Sequence, residues 1–546
     1  MNDSPANPSS GSDVVDVIII GAGPSGAVAA RHLAEAGMSV VCLEQGEWVD
    51  TDKYSGTRPE WELTADQRWH HNPNRRLMMA DYPIDDAVSE VQPAMFNGVG
   101  GSTILFAAAW PHLTPSDFRV RTLDGVADDW PVTYDEIAPY YDRVERDFGI
   151  SGLAGDPAYP ERGPYPMPPL PIGESGMVAL RGMDKLGWHW WVGPSAVATK
   201  PYGRLNPCAR IGTCGTGCPE GAKATADVTH WPDAIAHSAR LITGARVKQI
   251  TLNAAGLADG VVYIDRNGDE HLKRGRIVIS CANGIGTPRL LLLSKNGRYP
   301  NGLANSSGLV GRRLMMHGMS GVAGSFDDNL ESWVGPIGQH VVSMEFYNSD
   351  PSRGFVRGAK WQQFRGGGPL AFHPGLGGAP FDYGWGEQMH RNTRQWLGRT
   401  LGWAIIYEDL PDENNRITLS SDLCDSDGIP APKLHFKIGD NARKLSEWHM
   451  DRATEALKAA GANATVRIPN TQMGAHLMGT ARMGDNPETS VVNKWGRSHD
   501  IPNLYIFDGS VFVTSGGVNP TPTICAIALR GAEYIVANRR NQRAAA

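Results

Sequence analysis

At 546 residues the chain exceeds the size at which one hydrophobic core stops growing, so two or more core-bearing units are expected, and a composition 41% hydrophobic and 20% charged excludes wholesale disorder. Lys and Arg number 51 against 58 Asp and Glu, a net charge of −7 with no basic block, so no nucleic-acid partner is expected. Seven cysteines are too few and too odd in number for a disulfide scaffold of this length, and a reducing, cytoplasmic compartment is expected.

Residues 1–13, MNDSPANPSSGSD, carry no basic or apolar export pattern and read as a flexible lead-in. Val14 to Ile20 is a β-branched run broken only by Asp16, as a parallel strand covered on both faces needs. It is far shorter than the roughly 18 residues of a membrane helix, and no later run exceeds it, so no membrane span is expected. Gly21, Gly23 and Gly26 follow as G-x-G-x-x-G, a helix closes at Gly37, Val40 to Leu43 forms a second strand, and Glu44 ends it. Ser55 to Glu90 is polar and irregular and reads as loop with short helices, and Asn97 to Trp110 is a second glycine-rich turn. Thr133 and Asp135 open a helix with Ile137, Tyr140, Tyr141 and Val144 on one stripe. Prolines crowding between Gly152 and Pro207 predict an extended crossing between units. Arg240 to Ser280 predicts short strands with hairpin turns at ADG and RNG, followed by an apolar helix. Residues 325–410, rich in Gly and Trp, are the expected substrate walls; an amphipathic helix then ends at Gly461, and an apolar helix from Thr521 closes the chain.

The glycines of the first turn permit a tight bend and close approach of a pyrophosphate to the helix N-terminus, where unpaired N–H groups and the positive dipole end favour it. Glu44, about twenty residues further on, stands where a carboxylate accepts from the ribose hydroxyls of an adenine dinucleotide. This motif leaves NAD(P) and FAD open.

Five segments decide between them: NGVGGST (Asn97 to Thr103), DWPVTYDEIAPYY (Asp129 to Tyr141), NSSGLVGRRLMMH (Asn305 to His317), HLMGTARMG (His476 to Gly484) and LYIFDGSVFVTSGGVNPTPTICA (Leu504 to Ala526). Together, and in this order, they resemble the glucose-methanol-choline (GMC) flavoprotein oxidoreductases. The resemblance implies an α/β chain with a Rossmann-type FAD-binding domain and a second, substrate-binding domain built on an antiparallel sheet with helices. The implied boundaries are 14–130, 206–318 and 472–540 for the discontinuous FAD-binding domain, and 131–205 and 319–471 for the substrate-binding domain. The implied cofactor-binding set is Gly21, Gly23, Gly26, Glu44, Asn97, Gly100, Gly101, Ser102, Val247, Asp508, Asn519, Pro520 and Thr521. FAD is expected to be non-covalent, because Phe106 to Ala109 lacks the His through which some relatives attach it.

Alcohol oxidation by a flavin needs a group that takes the hydroxyl proton and a polar partner for the oxygen while hydride leaves carbon for flavin N5. By the same resemblance His476 is the base, and Asn519, where relatives often carry His, orients the oxygen by hydrogen bonding. Cys208, Cys214 and Cys218 leave two readings: iron–sulfur ligands, as in membrane-linked FAD glucose dehydrogenases, or thiols packed as small apolar groups. The second is favoured, since three ligands fall short of the usual four, and no metal site is expected. Trp188, Trp190 and Trp191, with Trp333, Trp361, Trp385, Trp396 and Trp403, would suit the C–H faces of a sugar.

The expected function is therefore FAD-dependent oxidation of a secondary hydroxyl of a pyranose sugar or glycoside to a ketone at C3 or C2, in the manner of pyranose oxidases and glycoside 3-oxidases, with O2 or another acceptor reoxidising the flavin. The alternatives are an iron–sulfur catalytic subunit of a membrane-linked sugar dehydrogenase and, from another class, a lyase with structural FAD. The sequence leaves the oligomeric state open.

Overall fold

The computed structural model describes residues 14–58, 61–62, 68–76, 78–336, 340–365, 384–469 and 473–539, so the N-terminal lead-in lies outside the described residues. The strand Val15–Ile20 pairs in parallel with Val40–Leu43 on one side and Glu270–Ser280 on the other, and it is buried throughout because its side chains pack into apolar clusters on both faces of the sheet. The sheet around it runs Arg240–Ile242, Val40–Leu43, Val15–Ile20, Glu270–Ser280, Ala258–Ile264, Arg246–Leu252, with Leu504–Ile506 also paired to Glu270–Ser280. Glu270–Ser280 does two jobs: its first half closes an antiparallel meander, and its second half sits in the parallel core. The helix Pro24–Glu35 starts at the glycine turn with Pro24 in its first turn, and Gly37 follows its end at φ 73°.

The meander corrects one expected turn. Ala258, Asp259 and Gly260 open the strand Ala258–Ile264, and the bend falls earlier, where Gly256 takes φ 83°. Gly260 is needed within the strand because a Cβ there would stand 2.4 Å from the Lys273 carbonyl oxygen. The turn at Asn267 and Gly268 is as expected.

Among the described residues a second sheet, largely antiparallel, runs Gln92–Pro93, Met473–Met478, Met315–Ser325, Thr400–Tyr407, Ala359–Arg365, Val341–Ser343, Trp191–Val192, with Ala464–Ile468 also paired to Met315–Ser325. The amphipathic helix Asp440–Ala460 packs on it beside the helix Gly173–Leu186. The latter stands inside the stretch read as an extended crossing, in the proline-free run after Pro171, and Gly182 lets it lie close to its neighbour, since a Cβ there would meet the Ala456 carbonyl oxygen at 2.3 Å. A small third sheet contains Asp85–Ser89, a strand within the stretch expected to be loop and short helices. Among the described residues no helix is long and apolar enough to cross a membrane.

The tryptophans expected as sugar walls are used otherwise. On the strand Ala359–Arg365, Trp361 faces the helices; it is buried against Trp403, with ring centroids 5.9 Å apart, and its indole N–H donates to His449 Nδ1 at 2.9 Å. Trp385 is exposed, Trp333 is partly exposed, and Trp190 and Trp191 donate to Asp184 and to the Leu153 carbonyl. Residues 366–383 of the expected wall region lie outside the described residues. Replacement Trp361→Ala is expected to cost about 3–5 kcal/mol of stability. An unchanged denaturant midpoint in chemical unfolding would remove Trp361 from the core.

Candidate active site

A cavity of about 540 Å³ is lined from both large sheets, which is within the range of cofactor-sized pockets. Of the sequence-predicted residues, Gly21, Gly23, Glu44, Asn97, Gly101, Ser102, Val247, Asp508, Asn519, Pro520, Thr521 and His476 line it. Gly26 and Gly100 do not, and their roles are in the backbone. A Cβ on Gly26 would sit 2.1 Å from the Gly21 carbonyl oxygen, and Gly100, at φ 94°, donates its N–H to the Ala22 carbonyl.

The two glycine turns meet. A Cβ on Gly101 would lie 2.7 Å from Gly23 Cα, so the backbone is bare where the first helix begins and an anion can reach its N–H groups. Glu44 accepts from the backbone N–H groups of Ala22 and Gly46 at 2.8 and 2.9 Å, and burial raises its carboxyl above the ordinary value. Gln45 N–H adds a third backbone bond, which leaves the carboxylate one lone pair for a hydroxyl donor. Asp508 is likewise buried and raised; it accepts from Ser510 N–H at 2.8 Å and from the Thr287 hydroxyl at 2.5 Å. A bare helix N-terminus, an acidic residue at the end of the second strand and a long cavity fit the ADP half of FAD.

His476 lies on the strand Met473–Met478 with φ 65°, a left-handed conformation uncommon for a residue with a side chain. It is half-buried by surface area because it faces the cavity, and the protein around it lowers its pKa well below the ordinary value; burial is the main cause, with His317 and Lys360 adding to it. Its Nδ1 is 2.8 Å from His317 Nδ1, and its Nε2 is 3.5 Å from Asn519 Nδ2. His317 is fully buried, and its Nε2 lies 2.5 Å from the Gly516 carbonyl oxygen. On the other side of Asn519, Lys360 Nζ donates to Asn519 Oδ1 at 2.6 Å and to Gln362 Oε1 at 3.0 Å.

These partners come from separate elements. Cross-strand pairing sets Met319, Ile406 and Lys360 in one row across three strands, and the period of two puts Gln362 on the same face as Lys360, opposite Trp361. Met319, Gln362 and Ile406 line the cavity. The loop 514–519 is tied down by Tyr347, whose hydroxyl accepts from Gly517 N–H at 2.9 Å and donates to Asp117 at 2.9 Å, and by Thr514, which donates to the Asp117 carbonyl at 3.0 Å.

His317, Lys360 and Gln362 are not among the site residues expected from the sequence. His317 ends a motif quoted for the family resemblance. Lys360 and Gln362 alternate with Ala359, Trp361 and Gln363 in AKWQQF, so two polar residues on one face of an otherwise buried strand were the available signal. Cys208 stands within electrostatic reach of Cys214 and Cys218, but the three form no ligand set. Cys208 and Cys218 each accept from a nearby backbone N–H, the Cys214 carbonyl accepts from buried Lys223, and no group of three or more His, Cys, Asp or Glu among the described residues could hold a metal ion.

The GMC oxidoreductase family models match residues 15–319 and 411–528. A 2-methyl-1,2-propanediol dehydrogenase of Mycolicibacterium austroafricanum is 42% identical over 96% of this chain and 95% of its own length. The fructose dehydrogenase large subunit of Gluconobacter japonicus is 30% identical over 95% of this chain and 97% of its own, and the paromamine 6'-oxidase of Streptomyces fradiae 30% identical over 96% and 91%. Two solved structures share the fold: pyridoxine 4-oxidase of Mesorbium loti, with TM-score 0.64, 16% identity and coverage of 95% of this chain and 99% of that one, and the formate oxidase of Aspergillus oryzae RIB40, with TM-score 0.66, 15% identity and coverage of 98% and 100%. With family matches over most of its length and a cavity built from the two glycine turns, His476 and Asn519, the chain belongs to the GMC oxidoreductases, enzymes that act on CH–OH donors.

Proposed function

We propose that this protein oxidises the carbinol of a compact hydroxylated molecule, a short diol or polyol, with His476 as the base and Asn519 as the anchor for the reacting oxygen. The observation that carries the reading is the pair His476 Nε2 and Asn519 Nδ2, 3.5 Å apart, on the same cavity as the first glycine turn. A substrate hydroxyl between them gives its proton to Nε2 and keeps its oxygen on the Asn519 N–H. FAD, when bound, supplies the acceptor for the hydride. It is held without a covalent link by Gly21, Gly23, Glu44, Asn97, Gly101, Ser102, Val247, Asp508, Pro520 and Thr521, because Phe106 to Ala109 carries no side chain for a link. Met319 and Ile406 exclude water from the apolar flank of the substrate, and Gln362 supplies a polar contact for a second hydroxyl.

A second reading keeps the pyranose or glycoside, oxidised to a ketone at C2 or C3. The fructose dehydrogenase and paromamine 6'-oxidase relatives favour it, whereas the absence of tryptophan from the described lining favours the smaller substrate. We also propose the two-domain division at the boundaries given by the resemblance, which puts the first large sheet wholly in the FAD-binding domain while the second takes strands from both domains, and a cytoplasmic setting, which suits seven free thiols.

The test is anaerobic mixing of the holoprotein with short diols and pyranoses while flavin absorbance is followed. The parent is expected to bleach, most readily with a diol. Replacement His476→Ala should retain FAD and slow bleaching on the order of 10²–10⁴-fold. A variant that bleaches at the parent rate defeats the base assignment, and a parent that no alcohol bleaches points to a lyase with structural FAD. The pH profile carries a second expectation. The folded pKa of His476 lies below its ordinary 6.5, so the base stays unprotonated as pH falls through that value, and the bleaching rate should stay level from about pH 8 to about pH 6. An acid limb centred at or above the ordinary histidine value would contradict it.

A further inference from the structure

We propose that the Gly516 carbonyl, acting through His317, fixes the tautomer of His476 so that the nitrogen facing the cavity carries a lone pair. His317 is then a positioning residue. The proposal rests on His476 as the base, and it explains how that base is kept ready.

The Gly516 carbonyl has no choice of role. A carbonyl oxygen can only accept, so His317 Nε2, 2.5 Å from Gly516 O, must bear a hydrogen. His317 is fully buried, and burial lowers its pKa to about 4, so the ring is neutral and its Nδ1 holds a lone pair. His476 Nδ1, 2.8 Å away, must then be the donor, and the neutral His476 ring is left with its lone pair on Nε2. That lone pair faces Asn519, whose amide is turned to match, with Nδ2 toward His476 at 3.5 Å and Oδ1 toward Lys360 Nζ at 2.6 Å. Lys360 has N–H bonds for Asn519 Oδ1 and for Gln362 Oε1, and its own backbone N–H donates to the Gly517 carbonyl at 3.2 Å. Both ends of the chain of hydrogen bonds are thus tied to residues 516–519. The opposite tautomer would set two lone pairs against each other between the histidines and two N–H groups against each other at Asn519.

The arrangement also suits the proton step. The substrate O–H bond breaks, an N–H bond forms at His476 Nε2, and the electron pair of the C–H bond leaves as hydride to bound FAD. Nδ1–H continues to donate to His317 throughout, so no proton has to move between the histidines.

Two measurements test this. In histidine-¹⁵N-labelled holoprotein, the His476 signals, identified as those lost in His476→Ala, should show a protonated Nδ1 and an unprotonated Nε2; the reverse overturns the proposal, whatever any variant does. Replacement His317→Leu, which removes the acceptor, should keep FAD and the half-saturating substrate concentration and slow bleaching at saturation about 10–100-fold, the usual cost of losing a group that orients a histidine. His317→Asn, with an amide oxygen for His476 and N–H for Gly516, should recover most of the rate. If His317→Leu bleaches at the parent rate while His476→Ala does not, the base stands and this relay falls. If His476→Ala also bleaches at the parent rate, the base assignment itself has failed.

Discussion

Arg357 holds together the end of the cavity where His476 meets Asn519. Its guanidinium is 1% exposed and donates to Asp117, to Asp124 at 3.2 Å and to Glu408 at 2.6 Å, joining segments more than two hundred residues apart in the chain. Asp117 in turn accepts from Tyr347 and, through its carbonyl, from Thr514, so the loop that carries Gly516 and Asn519 hangs from this cluster. Three carboxylates share one cation. Burial therefore raises Asp117 and pushes Glu408 up to about 7, so that the cluster avoids its full negative charge. Breaking such a buried pair typically costs about 3–5 kcal/mol, because the remaining charge has no partner and no water. The loop 514–519 is thereby fixed by electrostatics several residues away from Asn519 and His476.

The strands contribute a second constraint. Met315–Ser325 and Met473–Met478 pair antiparallel with a register shift between Met315 and His317, and His476 takes its left-handed conformation opposite that irregularity. Bulges of this kind redirect side chains beside active sites, and a strained non-glycine residue persists only where its surroundings hold it. Here the surroundings are His317 on one side and Asn519 on the other. The two imidazole planes meet at 84°, so the ring nitrogens face each other while the rings do not stack.

Local patterns were legible wherever a short stretch determines its own structure. Val15–Ile20 with Gly21 and Gly23, the helix Asp440–Ala460 before Gly461 and the Thr133 cap of Tyr134–Phe148 all have their physical cause within a few residues. The helix Gly173–Leu186 was hidden because its neighbouring prolines dominate the composition. The ADG turn was misread because Gly260 is required by a neighbouring strand, which no local pattern records. Tryptophan content likewise cannot tell a core-facing Trp361 from a wall, since period two decides the face and the fold decides which face is inside.

By itself the sequence determined the parallel strand, the glycine turn and the acidic residue after it, and its motifs named His476 and Asn519, because backbone freedom and chemical type are properties of single residues and their near neighbours. Only the tertiary structure decided that His317, Lys360 and Gly516 complete the same site. Those residues lie on two strands and a loop far apart in the chain, and the direction of each hydrogen bond between them depends on which donor or acceptor the fold sets opposite.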